Sequence, residues 1–420
     1  MKQKDRIQNS LTMTTLKIRK LGRKLFAVSI ATLYFFWSVL AIHAYSFNEI
    51  VPDVRQPANL SGGSACPVPA RQWIAPGSIA VQWSTILGTS PQTILTSSQA
   101  PAAVTAEIQA VIQQSENVWA GVAATSMASN TFTTPAQVAT ANICGADGVN
   151  SICFDQEDMG FTPGVLAFTR VITADAINTQ LGNSVSTQVG QILDADIYFN
   201  PGDTSVSFAT PSALAANPTS YDLESLLVHE FGHLLGFGHS AVFAAIMFPF
   251  AAAPGTFSGQ RPTAQQPDAP LADDDRAGLR SLYPNPTDTT YIGSIQGRVL
   301  PGNLLSLPTA PTGVTGIFGA HVVAVNASTG AVAAGTLAGW SCTSPGPAQF
   351  DGTYLIQHLP VGNSYNIYVE PLNGVATPST MSMALSLCRN ANTDPGWPPA
   401  QACVVPSVNQ EFTAAMLPAP

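Results

Sequence analysis

HEFGHLLGFGHS, residues 229 to 240, is the stretch from which the rest of the chain is read. On a helix, His229 and His233 stand one turn apart on one face, so both imidazoles can reach one metal. Glu230 is rotated by about 100° from His229, where its carboxylate can take a proton from metal-bound water. Gly236 can adopt a positive φ and end the helix, and the chain then turns back to present His239 as a third ligand. Three imidazoles leave a tetrahedral zinc one open position, which water fills. Zinc lowers the pKa of that water from ~16 toward ~7 and polarises a neighbouring carbonyl. Glu230 then acts as general base and returns the proton to the leaving amine. Amide hydrolysis without a covalent intermediate follows from this set. Between Cys66 and Tyr283 there is no histidine besides these three, so a Ser-His or Cys-His nucleophile would have to take one from the metal.

The motif with Ser240 directly after it resembles the matrixin-like branch of the metzincin zinc metallopeptidases. The resemblance implies a methionine turn beneath the zinc, and Met247 in AAIMFPF stands at the matching distance as a hydrophobic floor. It also implies that Phe248 and Pro249, with Phe250, help wall the pocket for the substrate side chain after the scissile bond. LADDDRAGLRSLYP (271–284) resembles the family's closing helix, with Asp273 as its cap and Leu279, Leu282 and Tyr283 on its buried side. The extra structural zinc of animal matrixins has no evident ligands here. The PRCGVPD switch of the family's long prodomain is absent too, with only a trace in VPDVRQP (51–57).

Upstream of the motif, PAAVTAEIQAVIQQSENVWAGV (101–122) sets Ile108, Val111, Ile112, Val118 and Trp119 at helical spacing. It resembles the first helix of the catalytic domain. DADIYFN (194–200) reads as a strand; Asp194 and Asp196 read either as water-exposed carboxylates or as cation ligands, which makes Ca2+ a candidate structural cofactor beside Zn2+. SVSF (205–208) reads as a short edge strand along which an extended substrate aligns. Asp222 and Glu224 fall in the first turn of the motif helix, where negative charge favours the N-terminus. Leu223, Leu226, Leu227, Phe231, Leu234 and Leu235 supply that helix's apolar surface.

The first 24 residues hold eight of the chain's 16 basic residues, and an apolar stretch follows from Leu25 to Ala41. Residues 1–44 read as a signal peptide or as an N-terminal anchor. Beyond them, eight basic residues face 24 acidic ones, a net charge near −16. Such a surface is unsuited to nucleic acid or anionic lipid. All six cysteines lie past this segment, consistent with an oxidising compartment. Cys144 with Cys153, and Cys388 with Cys403, can staple local loops, while Cys66 is open to a disulfide or to capping the zinc. Asn59 and Asn326 match the N-glycosylation pattern.

The composite expectation is an α+β chain of two folded units. Residues 45–72 form an N-terminal extension, and residues 73–284 a metzincin-type catalytic domain with a twisted mixed sheet and an active-site helix. After a linker at 285–290, alternating strands divided by Gly, Asn and Pro turns fill residues 291–420. They resemble a carboxypeptidase regulatory-like or prealbumin-like β-sandwich; His321 and His358 within it read as surface or strand residues. The function expected is a secreted, monomeric zinc endopeptidase acting on protein or peptide, with no membrane contact beyond the N-terminal segment. The competing reading is a zinc-containing adhesive or structural extracellular protein with little peptidase activity.

Overall fold

The computed structural model describes residues 79–370 except 85–93, 99, 128–131, 140–142, 155–164, 175–176, 189, 201–205, 241–244, 249, 301–315, 318–319, 339, 342–348 and 351. The expectations for residues 1–72, Cys66, Cys342, Cys388, Cys403 and Pro249 lie outside the described residues. In chain order the elements are β1 (Val81–Ser84), β2 (Ile94–Leu95), α1 (Pro101–Ala120), β3 (Ala136–Val138), β4 (Asn150–Cys153) and β5 (Ala167–Thr173). A small hairpin, β6 (Gln180–Leu181) and β7 (Ser184–Val185), precedes β8 (Ile192–Phe199), β9 (Phe208–Ala209), α2 (Pro211–Leu214), β10 (Tyr221–Asp222), α3 (Leu223–Leu234) and α4 (Asp273–Leu282). Then come β11 (Gly293–Arg298), β12 (His321–Asn326), β13 (Val332–Leu337), β14 (Trp340–Ser341), β15 (Gln349–Phe350), β16 (Thr353–Leu359) and β17 (Tyr365–Glu370). Among the described residues, no helix is long and apolar enough to cross a membrane.

The first unit is built on a five-stranded sheet ordered β3-β1-β4-β8-β5, parallel except for the antiparallel edge strand β5. Pro101 opens α1, where its missing N–H costs nothing. The helix buries Ile108, Val111, Ile112, Val118 and Trp119, and packs against α3, which buries Leu223, Leu226, Leu227, Phe231 and Leu234. These residues share one core with Ile152, Ala195, Ile197 and Phe199 of the sheet.

Every residue of β8 is buried, which corrects the exposed reading of Asp194 and Asp196. Alternation puts Asp194, Asp196 and Tyr198 on the sheet face away from the helices, a face that ordinarily meets water. Here the loop between Cys144 and Ser151 folds over it, and Cys144 and Cys153 are joined by a disulfide. Backbone amides of that loop donate to the carboxylates. Gly145 and Ser151 donate to the two oxygens of Asp196 at 2.9 and 3.0 Å, and Asp147 and Gly148 donate to Asp194 at 3.1 and 3.2 Å. Burial, reinforced by the neighbouring Asp194 charge, pushes Asp196 up to about 7.

SVSF is also corrected. Of its described residues only Phe208 lies in a strand, β9, which is the middle strand of a small parallel sheet, β10-β9-β2. Phe208 is buried and both edges of β9 are paired, so no peptide can add there. Among the described residues, β5 is the edge strand of the larger sheet that lies against α3, half-buried along its length.

After Pro284 the described chain forms a two-stranded sheet (β11-β16), a three-stranded sheet (β13-β12-β17) and the pair β14-β15. Val299, Val322, Ala324, Ala334, Ile356 and Leu359 form a second core around them. Helix α4 serves both cores. Leu279 and Leu282 belong to the first, and Ala277 packs into the second.

Glu116 is a fully buried carboxyl on the core side of α1. One oxygen accepts from Gln113 at 2.9 Å, and burial pushes the group up to about 9. A folded pKa above the unfolded one stabilises the fold below the unfolded pKa, and that contribution is lost as pH rises through the folded value. Glu116→Gln removes the dependence while keeping the shape. The variant should melt close to wild type near pH 4, then gain a few degrees over it as pH climbs from ~4.5 toward ~9. Thermal unfolding in chelator across that range is the check, and a constant or shrinking difference would overturn it.

Candidate metal centre

Helix α3 starts at Asp222, whose carboxylate accepts the Ser225 amide at 2.8 Å and caps it. Arg261 reaches in from the following loop to pair with both Asp222 and Glu224, and its guanidinium lies 4.0 Å over the Phe257 ring. At the other end Gly236 takes φ 107°, the left-handed conformation expected of it. The Gly236 amide donates to His233 O and the Phe237 amide to Gly232 O, the bond pair of a Schellman turn. Tyr283 at the end of α4 donates its hydroxyl to Leu235 O at 2.7 Å, satisfying a carbonyl that the helix end leaves open.

That turn sends the chain back past its own helix, and the structure brings His229, His233 and His239 together. One ligand-capable atom from each lies within 4.8 Å of the others, all three rings being half-buried. Among the described residues this is the one group of three or more His, Cys, Asp or Glu side chains with such spacing. His321 and His358 stand elsewhere, in β12 and β16.

The hydrogen bonds fix what the rings present. His229 Nδ1 lies 2.7 Å from Ile246 O, and His233 Nδ1 lies 2.8 Å from Phe237 O. A carbonyl only accepts, so each Nδ1 carries the proton. Burial holds both rings below the ordinary histidine range, His233 down to about 3, which favours the neutral form. Their Nε2 atoms are therefore bare lone pairs, and they face each other at 3.1 Å. Two lone pairs at that distance repel unless a cation lies between them. Ligand nitrogens at ~2.0–2.1 Å from a tetrahedral zinc stand roughly 3.3 Å apart, so these residues fit that ion.

Glu230 is buried beside them, and burial raises its carboxyl to about 7. Thr169 on β5 donates to Glu230 Oε2 at 2.6 Å. Thr169 carries no local signal of this role, because the contact joins residues 61 positions apart. Met247 is fully buried, and a Cβ added to Gly232 would stand 2.2 Å from its sulfur and 2.8 Å from Trp119. The methionine thus presses on α3 between the two helical histidines, and only glycine leaves it room. The Trp119 indole donates to Val228 O at 2.8 Å from the same side. Phe248 is half-buried and its ring lies 5.7 Å from that of the exposed Phe250. Pro249 between them lies outside the described residues.

Asp275 was also missed. Its carboxylate accepts from Ile246 and Met247 at 2.8 and 3.2 Å, and from Ala272 at 2.8 Å. It anchors the methionine turn and reaches back over the start of α4. The cap expected of Asp273 is corrected by this. Asp273 is already the first helical residue, Ala272 holds the cap position, and Asp273 pairs with Arg276 instead. Asp274 accepts from Ser240 at 2.6 Å, and burial, with the neighbouring Asp275 charge, raises it to about 7.

Comparisons with known proteins fall on this part of the chain. Residues 97–284 match the family model described as Matrixin. Metalloendoproteinase 1-MMP of Arabidopsis thaliana is 36% identical over 101 residues, covering 21% of this chain and 25% of its own. Metalloendoproteinase 1 of Glycine max is 41% identical over 91 residues, covering 21% and 24%. Matrix metalloproteinase-25 of Homo sapiens is 41% identical over 70 residues, covering 17% and 11%. The chain thus spans about a quarter or less of these relatives' lengths.

Gly232→Ala should force Met247 and Trp119 apart at a net cost of about 1–3 kcal/mol, after a helix-propensity gain of about 1 kcal/mol. Met247→Leu, close in volume, should cost less. Denaturant melts of the two variants compare them directly. A wild-type midpoint for Gly232→Ala would show that the methionine does not bear on the helix.

Proposed function

We propose that this chain is a secreted zinc metalloendopeptidase that cleaves internal bonds of proteins or peptides. The observation that carries the reading is the pair of Nε2 atoms of His229 and His233 facing each other at 3.1 Å, with His239 closing the set and a buried glutamate beside it. His229, His233 and His239 would hold the ion. When bound, zinc supplies Lewis acidity, lowering the pKa of water and polarising a carbonyl. Glu230 accepts the proton of the attacking water at its carboxylate and gives it to the departing amine. Thr169 fixes one carboxylate oxygen, which leaves the other for that transfer. The bond cleaved is C–N; the bond formed is C–O; water supplies both the hydroxyl and the proton balance.

The edge of β5 is suited to pairing with an extended peptide, since it borders α3 and, among the described residues, its outer side has no neighbour in the sheet order. Phe248 with Pro249 would wall the pocket for the side chain beyond the scissile bond, above Met247. The relatives' names describe metalloendoproteinases, which supports carrying this chemistry to the matched segment. Export completes the reading: residues 1–44 as signal or anchor, an acidic surface, and the Cys144–Cys153 disulfide. The strands after Pro284 would form the accessory β-sandwich. We retain a monomer, and Ca2+ as a structural addition without assigned ligands. A purely adhesive role gives no reason to bury Glu230 beside three imidazoles.

The test is a diverse peptide library incubated with the zinc-loaded protein and with Glu230→Ala. Wild type should cut at internal bonds, and the variant should lose about two to four orders of magnitude in rate while keeping its zinc. Equal rates would eliminate Glu230 as the base. No cleavage by either, with zinc retained by both, would favour the adhesive reading.

A further inference from the structure

Hydrogen bonds run without a break from the C-terminal sheets to the loop that carries His239. Asp274, the second residue of α4, is fully buried. Its Oδ2 accepts from Ser240 Oγ at 2.6 Å, and its Oδ1 accepts from the Gly335 amide at 2.7 Å. Ser240 directly follows His239, is itself fully buried, and donates its own amide to Met247 O at 2.8 Å. Gly335 lies in β13, the outer strand of β13-β12-β17, so its amide serves α4 rather than another strand.

The surroundings make this a packed junction. Ala277 of α4 belongs to the C-terminal core. Arg280 places its guanidinium 3.5 Å over the Tyr291 ring while donating to Ala123 O at 3.0 Å. Next door, Asp275 grips the amides of Ile246 and Met247. The first turn of α4 therefore holds the loop after His239 at both ends, and only the Asp274 grip continues into the C-terminal sheets. The three histidines differ in what fixes them. His229 and His233 are set by a helix, whereas His239 rides on a loop whose backbone is pinned through Ser240.

We propose that Asp274 is a positioning residue through which the docked C-terminal sheets hold His239 in its metal-binding place, so that metal retention depends on the Gly335–Asp274–Ser240 contacts. The proposal rests on the metal-site part of the reading above and not on peptidase activity. A carboxylate serving stability alone would move the unfolding midpoint and leave the metal site unchanged.

The experiment uses the full chain loaded with Co2+, whose absorption bands report ligand geometry, and follows transfer of the ion to a chelator. Gly335→Pro removes the outer donor, and Ser240→Ala removes the inner one. Each should speed metal loss roughly three- to tenfold, at or below the effect of groups bonded directly to a ligand, and shift the cobalt bands. The double variant should lose metal no faster than the faster single one, because both break the same connection. Asp274→Asn, which can still accept from one neighbour and donate to the other, should retain metal better than Asp274→Ala. Wild-type bands and metal loss in Gly335→Pro, or additive effects in the double variant, would overturn the proposal. If Gly335→Pro loses its near-ultraviolet circular dichroism, Ser240→Ala and the two Asp274 variants decide, and wild-type retention in all three overturns it. A wild type that holds no cobalt overturns it together with the metal site. Cobalt held without peptide cleavage counts against the peptidase reading alone.

Discussion

Two neutral imidazoles that aim bare nitrogens at one another are unfavourable unless something positive sits between them, and much of the described structure keeps them so aimed. The Ile246 and Phe237 carbonyls decide which nitrogen carries the proton. Phe237 can offer its carbonyl only because Gly236 accepts a left-handed turn, and Ile246 only because Asp275 pins its amide. Met247 and Trp119 press on the helix from behind, through the space that Gly232 leaves. The tautomers, and with them the capacity to bind a cation, are thus consequences of backbone geometry in three separate segments.

The same constraint explains which parts of the centre could be read from the chain. His229, Glu230, His233, Gly236 and His239 form a short local pattern, and helix periodicity with glycine's conformational freedom determines where each must point. Apolar spacing likewise located α1 and the buried side of α3. Thr169, Asp274 and Asp275 were not legible, because each acts on a partner tens of residues away and an isolated Thr or Asp carries no directional signal. Asp194 and Asp196 were misread for a related reason. Period-two alternation reports which residues share a sheet face, but not whether a disulfide-closed loop later covers that face and supplies its amides.

Buried acids here are matched to backbone donors more than to cations. Asp196, Asp194 and Asp275 each accept from two or three amides, with Arg170 standing off Asp196 at 3.6 Å. Arg261 covers Asp222 and Glu224, but Asp194, Asp196 and Asp275 are left to the amides of loops that fold onto them. Where burial outweighs those bonds the group is pushed upward, as at Asp196 and Asp274. This ties the placement of the loops to the acids they cover.

Helix α4 shows what that economy does to domain structure. It buries Leu279 and Leu282 in the first core and Ala277 in the C-terminal one, and its first turn carries acids that bind both. An exposed connection at residues 285–290 would suggest two units free to move independently. Arg280 argues otherwise, since one guanidinium both donates to Ala123 and covers the Tyr291 ring across that connection. Separating the C-terminal sheets would uncover Ala277 and leave the Asp274 oxygen that now accepts from Gly335 without its donor, a few residues from the turn beneath the histidines. Taking a donor away from a buried acceptor is costly, so this contact ties the second unit to the turn beneath the histidines, and none of its described residues joins the histidine cluster.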